Sequence, residues 1–547
     1  MLRCPADAVL VRFPALPLSA FIVLACLTLT MAGSTAALGQ VSVTTYHYDN
    51  FRTGWNSHET ALTPAAVRST AFGILGTIAL DDQVDAQPLV VPGVNITTGQ
   101  FQGVHNVVYV ATDNNTIYAI DTGNGKVLLK TNFGPPVVRP LGCAQNNPDV
   151  GINSTPVIDL SSNTLYAIMY TQDTGGPAYR LHALDLGSLI DKVAPQLVTG
   201  SHTLIDGSTF SFNSTYQRQR PALLLANGNV YAAFGSFCDR APSLSRGWIL
   251  GWKTGSLTPL PGNQVLDTQA ESPHRFFLSA IWMSGYGPAA DDSGNILFVT
   301  GNSDPSGTTY DGISDIQESV AKISSDLTTV LDLFTPSNVA TLDQKDLDFG
   351  SGGVMVLPDQ PGSIPHLAVA AGKVGSMFLM NEDALGGFSP QKNNVLGTYG
   401  AGPCWCGESY FVDPKDKVPR VVSSGGQRIA VWKLQASPSP SLVKVTSTPA
   451  LATSNTGFFT SVSSNGTATP IIWALSRPSG TQSTISLYAF APELGGTTMK
   501  PIFAGTAGTW VTNGTNTNLV PVVANGKVFV ASNRELTILG LRKTQKE

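Results

Sequence analysis

Residues 87–132 read QPLVVPGVNITTGQFQGVHNVVYVATDNNTIYAIDTGNGKVLLKTN. Four apolar runs stand out: QPLVV from Gln87, HNVVYVAT from His105, NTIYAID from Asn115 and KVLLKTN from Lys126. β-Branched and aromatic residues alternate in them, and DNN and DTGNG separate them, which is the pattern of short strands joined by tight turns. The same phrase returns from Thr155, Arg220, Tyr286, Gly352, Tyr410, Thr460 and Val520, so eight units start 50 to 68 residues apart. Helical periodicity is almost absent. Short strands at such a period predict an all-β fold, a β-propeller of eight four-stranded blades, over a sandwich or barrel.

The ends of the chain point to how the ring closes. The eighth unit stops after its third strand at Leu541, while FGILGTIAL, residues 72–80, is a strand left over before the first complete unit. Pairing the two completes the last blade and removes two exposed strand edges. The alternative is a coincidental apolar segment beside a ring of six or seven blades, since the sixth and seventh units are the least regular.

Composition bounds the function. The 547 residues include 54 glycines and 36 prolines, only 13% are charged, and 42% are hydrophobic, which excludes disorder by low hydrophobicity. Net charge is −5, and no cluster of Lys and Arg or basic-aromatic stripe is present to hold a phosphate backbone, so nucleic acid is excluded as a partner. Arg3 and Arg12 precede an apolar run at 16–31 and small residues at 32–39, the order of a secretory signal cut near Gly39. An uncleaved anchor and a lipid-bearing Cys26 are the alternatives; the run is shorter than the ~20 residues of a spanning helix. The expected organisation is a signal peptide at 1–39 and a single propeller domain at 40–547, secreted or periplasmic, with a net charge of −6 and no transmembrane segment after cleavage.

Four cysteines remain in the mature chain: Cys143, Cys238, Cys404 and Cys406. An oxidising compartment predicts one or two disulfides, with the pairing left open. Cys404 and Cys406 enclose only Trp405, too tight for half of a zinc site. Asn95, Asn114, Asn153, Asn213, Asn465 and Asn513 stand in glycosylation sequons, which act only in a eukaryotic host.

No autonomous catalytic motif names a reaction. The seven histidines, at 47, 58, 105, 182, 202, 274 and 366, form no helical metal pair, and HExxH, Walker and GxSxG patterns are absent. GSGGV at Gly350 enters a strand, which does not make a phosphate cradle.

The segment YHYDNFRTGWNSHETALTPAAV from Tyr46, followed by FGILG and QVDAQPLVV, resembles the opening of the quinoprotein (pyrroloquinoline quinone, PQQ) dehydrogenase-like propellers. In the first unit Ala119, Asp121, Gly125 and Lys126 are similar to that family's blade-docking motif, with Leu129 in place of its tryptophan. The resemblance implies a quinone in the central funnel with Ca²⁺ beside it. It assigns Trp282 to the floor under the quinone, Asn302 to the calcium, Asp346 to the base that takes the alcohol proton, and Lys373 to the quinone oxygens. Departures accompany it: Cys143 is followed by Ala144 instead of a second cysteine, the arginine beyond has no match, and the glutamate calcium ligand is missing, with Asp239 beside Cys238 as its substitute.

Each residue also has a plain structural reading. Trp282 is then a core aromatic, Asn302 a turn residue, Lys373 an exposed lysine, and Asp343, Asp346 and Asp348 a solvated acidic loop. Arg218 and Arg220 meet either an anionic ligand or that loop. The expected function is an exported propeller that binds a small molecule, a glycan or an envelope protein on its funnel face. The alternative is a PQQ- and Ca²⁺-dependent alcohol or sugar dehydrogenase with Asp346 as base, and a purely structural role is the third option.

Overall fold

A computed structural model describes residues 39–143, 147–241, 244–269, 278–303, 310–451, 456–476, 483–492, 496–511 and 519–542. The expected export signal, apart from Gly39, and the histidine and sequon at 274 and 513 lie outside the described residues. Gln40–Glu547 is one compact unit. Among the described residues no helix is long and apolar enough to cross a membrane.

The first unit forms the expected antiparallel blade from Leu89–Ile96, Gly103–Ala111, Thr116–Asp121 and Val127–Asn132. Its last turn is set by Asp121, whose Oδ1 accepts from the amides of Gly123 and Asn124 at 2.7 and 3.1 Å, with Gly125 at a φ of +73° that side chains disfavour. Seven further sheets follow the sequence units, so the ring has eight blades. In the third blade the first strand is broken into Gln217–Gln219 and Leu224–Ala226, both paired with Asn229–Ser236. The break falls at Arg220 and Pro221, where proline removes a ladder donor. Core side chains of neighbouring blades interdigitate; Tyr109 of the first blade, for example, donates to the carbonyl of Leu186 in a turn of the second at 2.7 Å.

Closure occurs as expected. Phe72–Gln83 pairs antiparallel with Asn533–Leu541, from Phe72 opposite Leu541 to Gln83 opposite Asn533, and completes the blade that Val522–Ala524 and Lys527–Ala531 begin.

The stretch before that strand has a role the sequence did not disclose. Residues 41–56 run across the first strands of the blades and bond to every one. Val43 exchanges both backbone bonds with Val90 in the first blade, and the Thr44 carbonyl accepts from Ile158 in the second at 2.8 Å. Asn50 donates through its side chain to Leu225 in the third and accepts from Ala290 in the fourth, each at 2.9 Å. Phe51, Thr53 and Gly54 accept from Val356, Tyr410 and Val462 in the fifth, sixth and seventh at 2.9, 2.8 and 2.7 Å. Asn56 donates to Val523 in the eighth at 2.9 Å. First strands of a propeller have a free edge toward the axis, and buried backbone groups there require partners. This segment supplies them.

Candidate functional site

The residues singled out from the sequence meet at the ends of the third to sixth blades. Trp282 lies before the fourth blade's first strand, Ala289–Ala290, and Asp346 and Asp348 lie before the fifth blade's, Val354–Val356. Lys373 follows Leu367–Ala371, and Trp405 precedes Ser409–Val412. With Arg218, Arg220, Cys238 and Asp239 of the third blade they line one cavity of about 560 Å³ of empty space, its open mouth included.

Lys373 is the hub. Its ammonium is 3.1 Å from Asp346 Oδ1 and pairs with the fully buried Asp348. It also lies 5.9 Å from the centre of the Trp282 ring system and 5.8 Å from that of Trp405, within cation–π reach. Burial pulls its pKa down, but the charges of Asp348 and Asp346 outweigh this and the net direction is up. With only 12% of its side chain exposed, Lys373 is not an ordinary surface lysine.

The acidic stretch is likewise not a uniformly solvated loop: Asp343 and Asp348 are buried, while the Asp346 side chain is 67% exposed. Burial raises the pKa of Asp348 despite Lys373. Asp239 is pushed up to about 7 by burial of its carboxyl and by the charges of Asp348 and Asp346, against the opposing hydrogen bond from Ser236. Asn302 is buried behind these groups. Its amide nitrogen is 3.4 Å from Asp346 Oδ1, and its Oδ1 has no hydrogen-bond partner among the described residues.

Trp282 is half-buried, not a core aromatic, and two glycines make room for it. A Cβ on Gly235 would come within 2.4 Å of its Cδ1, and one on Gly301 within 3.1 Å of its Cζ3. Left-handed backbone at non-glycine residues recurs around the cavity: Cys238 and Asp239 (φ 49° and 55°), Met283 and Ser284 (49° and 48°), and Asp346 (52°). Each costs on the order of 1–3 kcal/mol, and such costs gather where a site dictates the backbone.

The disulfides are Cys143–Cys238, across 95 residues, and Cys404–Cys406, across two. The first puts Cys238 in the cavity wall and the second brackets Trp405. Arg218 and Arg220 are buried in the wall itself. Arg218 donates to Asn153 Oδ1 at 3.1 Å and leaves Nε without a hydrogen-bond partner. Asn153 is therefore an internal residue that also donates to Asp113 at 2.7 Å, not a glycan acceptor. The sequence reading passed over Asp348 and Ser351 as cavity residues; Asp348's place two positions from Asp346 was the available signal.

The donor types match what the resemblance calls for. An indole, an ammonium and two buried guanidiniums suit a flat, oxygen-rich anion. Asp239, Asp346, Asp348 and the unpartnered Oδ1 of Asn302 are oxygen donors of the kind a hard cation takes. Among the described residues, no group of three or more His, Cys, Asp or Glu is gathered tightly enough to hold a metal ion as it stands, and Lys373 lies between Asp346 and Asp348.

No protein-family model matches the sequence, and no curated protein matches it. Solved structures do share its architecture. The quinohemoprotein alcohol dehydrogenase from Comamonas testosteroni superimposes with a TM-score of 0.58 at 13% identity, covering 94% of this chain and 82% of the other. The quinohemoprotein alcohol dehydrogenase ADHIIG from Pseudomonas putida HK5 gives 0.56 at 12% identity, covering 92% and 81%. A europium-containing methanol dehydrogenase gives 0.55 at 9% identity, covering 91% and 98%. The chain thus has the eight-bladed propeller fold of the quinoprotein dehydrogenases.

Proposed function

We propose that the funnel cavity binds a flat quinone of the PQQ type together with a hard divalent cation, and that the protein is a dehydrogenase of alcohols or sugars with Asp346 as base. One observation supports this over binding alone: Trp282, Asp346 and Lys373, drawn from separate loops, line one cavity, and Asn302 reaches Asp346 from behind its wall. Trp282 and Lys373 would hold the quinone, and Asp239 and Asn302 the cation. Bound there, the quinone supplies a two-electron acceptor and the cation a Lewis acid at its carbonyl.

The chain's own contribution is positional and electrostatic. Asp346 stands at the rim, open to an incoming hydroxyl, and its Oδ1 is held by Lys373 and the Asn302 amide. A carboxylate placed there is in position to take the hydroxyl proton. Asp348 is buried and paired with Lys373, so it fixes the ammonium without competing for the substrate.

Titration of the full-length protein with PQQ and Ca²⁺, followed by tryptophan fluorescence, tests binding. Dye reduction with a panel of alcohols and aldoses tests turnover. Asp346→Asn is expected to keep binding and abolish turnover. No quenching at micromolar PQQ would sink the proposal; binding without turnover on any substrate returns the funnel to a binding site for a small molecule, glycan or envelope protein. The order of residues 3–39 supports export to the periplasm or beyond.

A further inference from the structure

We infer that the Cys404–Cys406 disulfide is a positioning device that holds the Trp405 indole as a second aromatic wall of the cavity, beside Trp282 and Lys373, for a flat conjugated ligand. The inference rests on the funnel being a ligand site, but not on turnover.

Three observations carry it. Trp405 and Trp282 line the same cavity, and the Lys373 ammonium is at nearly equal distance from both ring systems, 5.8 and 5.9 Å. The bridge encloses a single residue, and that residue is Trp405. Chain-entropy stabilisation by a disulfide grows with loop length, so a bridge this short contributes least to the ring as a whole and most to local geometry. Finally, the bracket is anchored on several sides. Cys404 donates to the Gly372 carbonyl at 3.1 Å, its own carbonyl accepts from Ser351 Oγ at 2.7 Å, and the Trp405 amide donates to Thr456 at 3.0 Å. Both cysteines are fully buried. The freedom left to the loop without the bridge is therefore chiefly the direction in which Trp405 points.

The test uses the full-length protein with 5-fluorotryptophan incorporated, PQQ with Ca²⁺ as probe, and the variants Trp405→Ala, Trp405→Phe and Cys404→Ala with Cys406→Ala. The double alanine variant is expected to shift or broaden the ¹⁹F resonance assigned to Trp405, which is the one missing in Trp405→Phe, and to keep its thermal midpoint within about 2 °C. PQQ affinity should fall about tenfold in Trp405→Ala and in the double variant and recover in Trp405→Phe, the scale of one lost stacking wall. An unmoved Trp405 resonance, or wild-type affinity in Trp405→Ala, overturns the inference. Absence of PQQ binding to the wild type overturns the proposed function instead, and the fluorine resonance then still decides whether the bridge positions Trp405.

Discussion

The Arg52 guanidinium donates its Nε hydrogen to the backbone carbonyl of Pro288 at 2.9 Å, tying the N-terminal segment to the head of the fourth blade. The same side chain reaches Leu223 in the third blade at 3.2 Å, and Thr45 and Tyr46 in its own segment at 2.8 and 2.9 Å. It is fully buried, and desolvation lowers its pKa to about 10, so it stays charged at neutral pH. Arg52→Ala leaves these acceptors unpaired inside the ring. We predict a loss of about 3–5 kcal/mol in denaturant unfolding. A loss below about 1 kcal/mol would show that residues 41–56 merely rest on the blades.

The long disulfide should act on global stability. Cys143–Cys238 closes a loop of about a hundred residues, for which the chain-entropy relation gives about 4–5 kcal/mol. Replacing both cysteines with alanine is expected to lower the midpoint of chemical unfolding clearly under non-reducing conditions. An unchanged midpoint would mean that the blades alone hold that wall.

The floor of the site can be tilted without touching a polar group. Gly235→Ala places a methyl 2.4 Å from Trp282 Cδ1, so the indole must move. PQQ quenching should weaken at least several-fold, with far-ultraviolet dichroism unchanged. Equal affinity in the variant would remove Trp282 from the ligand's contacts.

Glu408 gives the stability a pH dependence of known sign. It is fully buried, neither carboxylate oxygen has a hydrogen-bond partner among the described residues, and burial pushes its pKa from 4.5 up to about 7. The folded state then binds the proton more tightly than the unfolded one. Its contribution is complete below pH 4.5 and disappears as pH rises through 7. The amount is on the order of 3 kcal/mol at one pKa unit per ~1.4 kcal/mol. Glu408→Gln should therefore raise the thermal midpoint more, relative to wild type, at pH 8 than at pH 5. Parallel midpoints at the two pH values would contradict this. His47 works in the opposite direction: burial lowers its pKa to about 4, so it withdraws stability as pH falls from 6.5.

Much of the ring could be read from the chain because a propeller is built from local pairs. Gly103–Ala111 and Thr116–Asp121 lie next to each other in sequence and in space, so alternation and turn residues disclose them directly. The closing strand was legible for a related reason: Leu541 ends a blade one strand short, and an unpaired strand at 72–80 has one place to go. The site was legible only through resemblance. No spacing rule would have joined Trp282, Asn302, Asp346 and Lys373.

By itself the sequence determined the propeller class and most of the strands and turns, and it favoured eight blades closed by the strand at 72–80, which the sheet pairing then decided. Only the tertiary structure decided that residues 41–56 reach all eight blades, that Cys143 pairs with Cys238, that Lys373 is held by two carboxylates, and that Trp405 lines the cavity with Trp282. The physical reason is the same in each case. Strand formation depends on neighbours a few residues away, whereas these contacts are made at the axis, where position around the ring decides which groups meet. Backbone carbonyls such as those of Phe51 and Thr53 leave no trace in side-chain pattern, and the need to pair them arises only once the blades have closed.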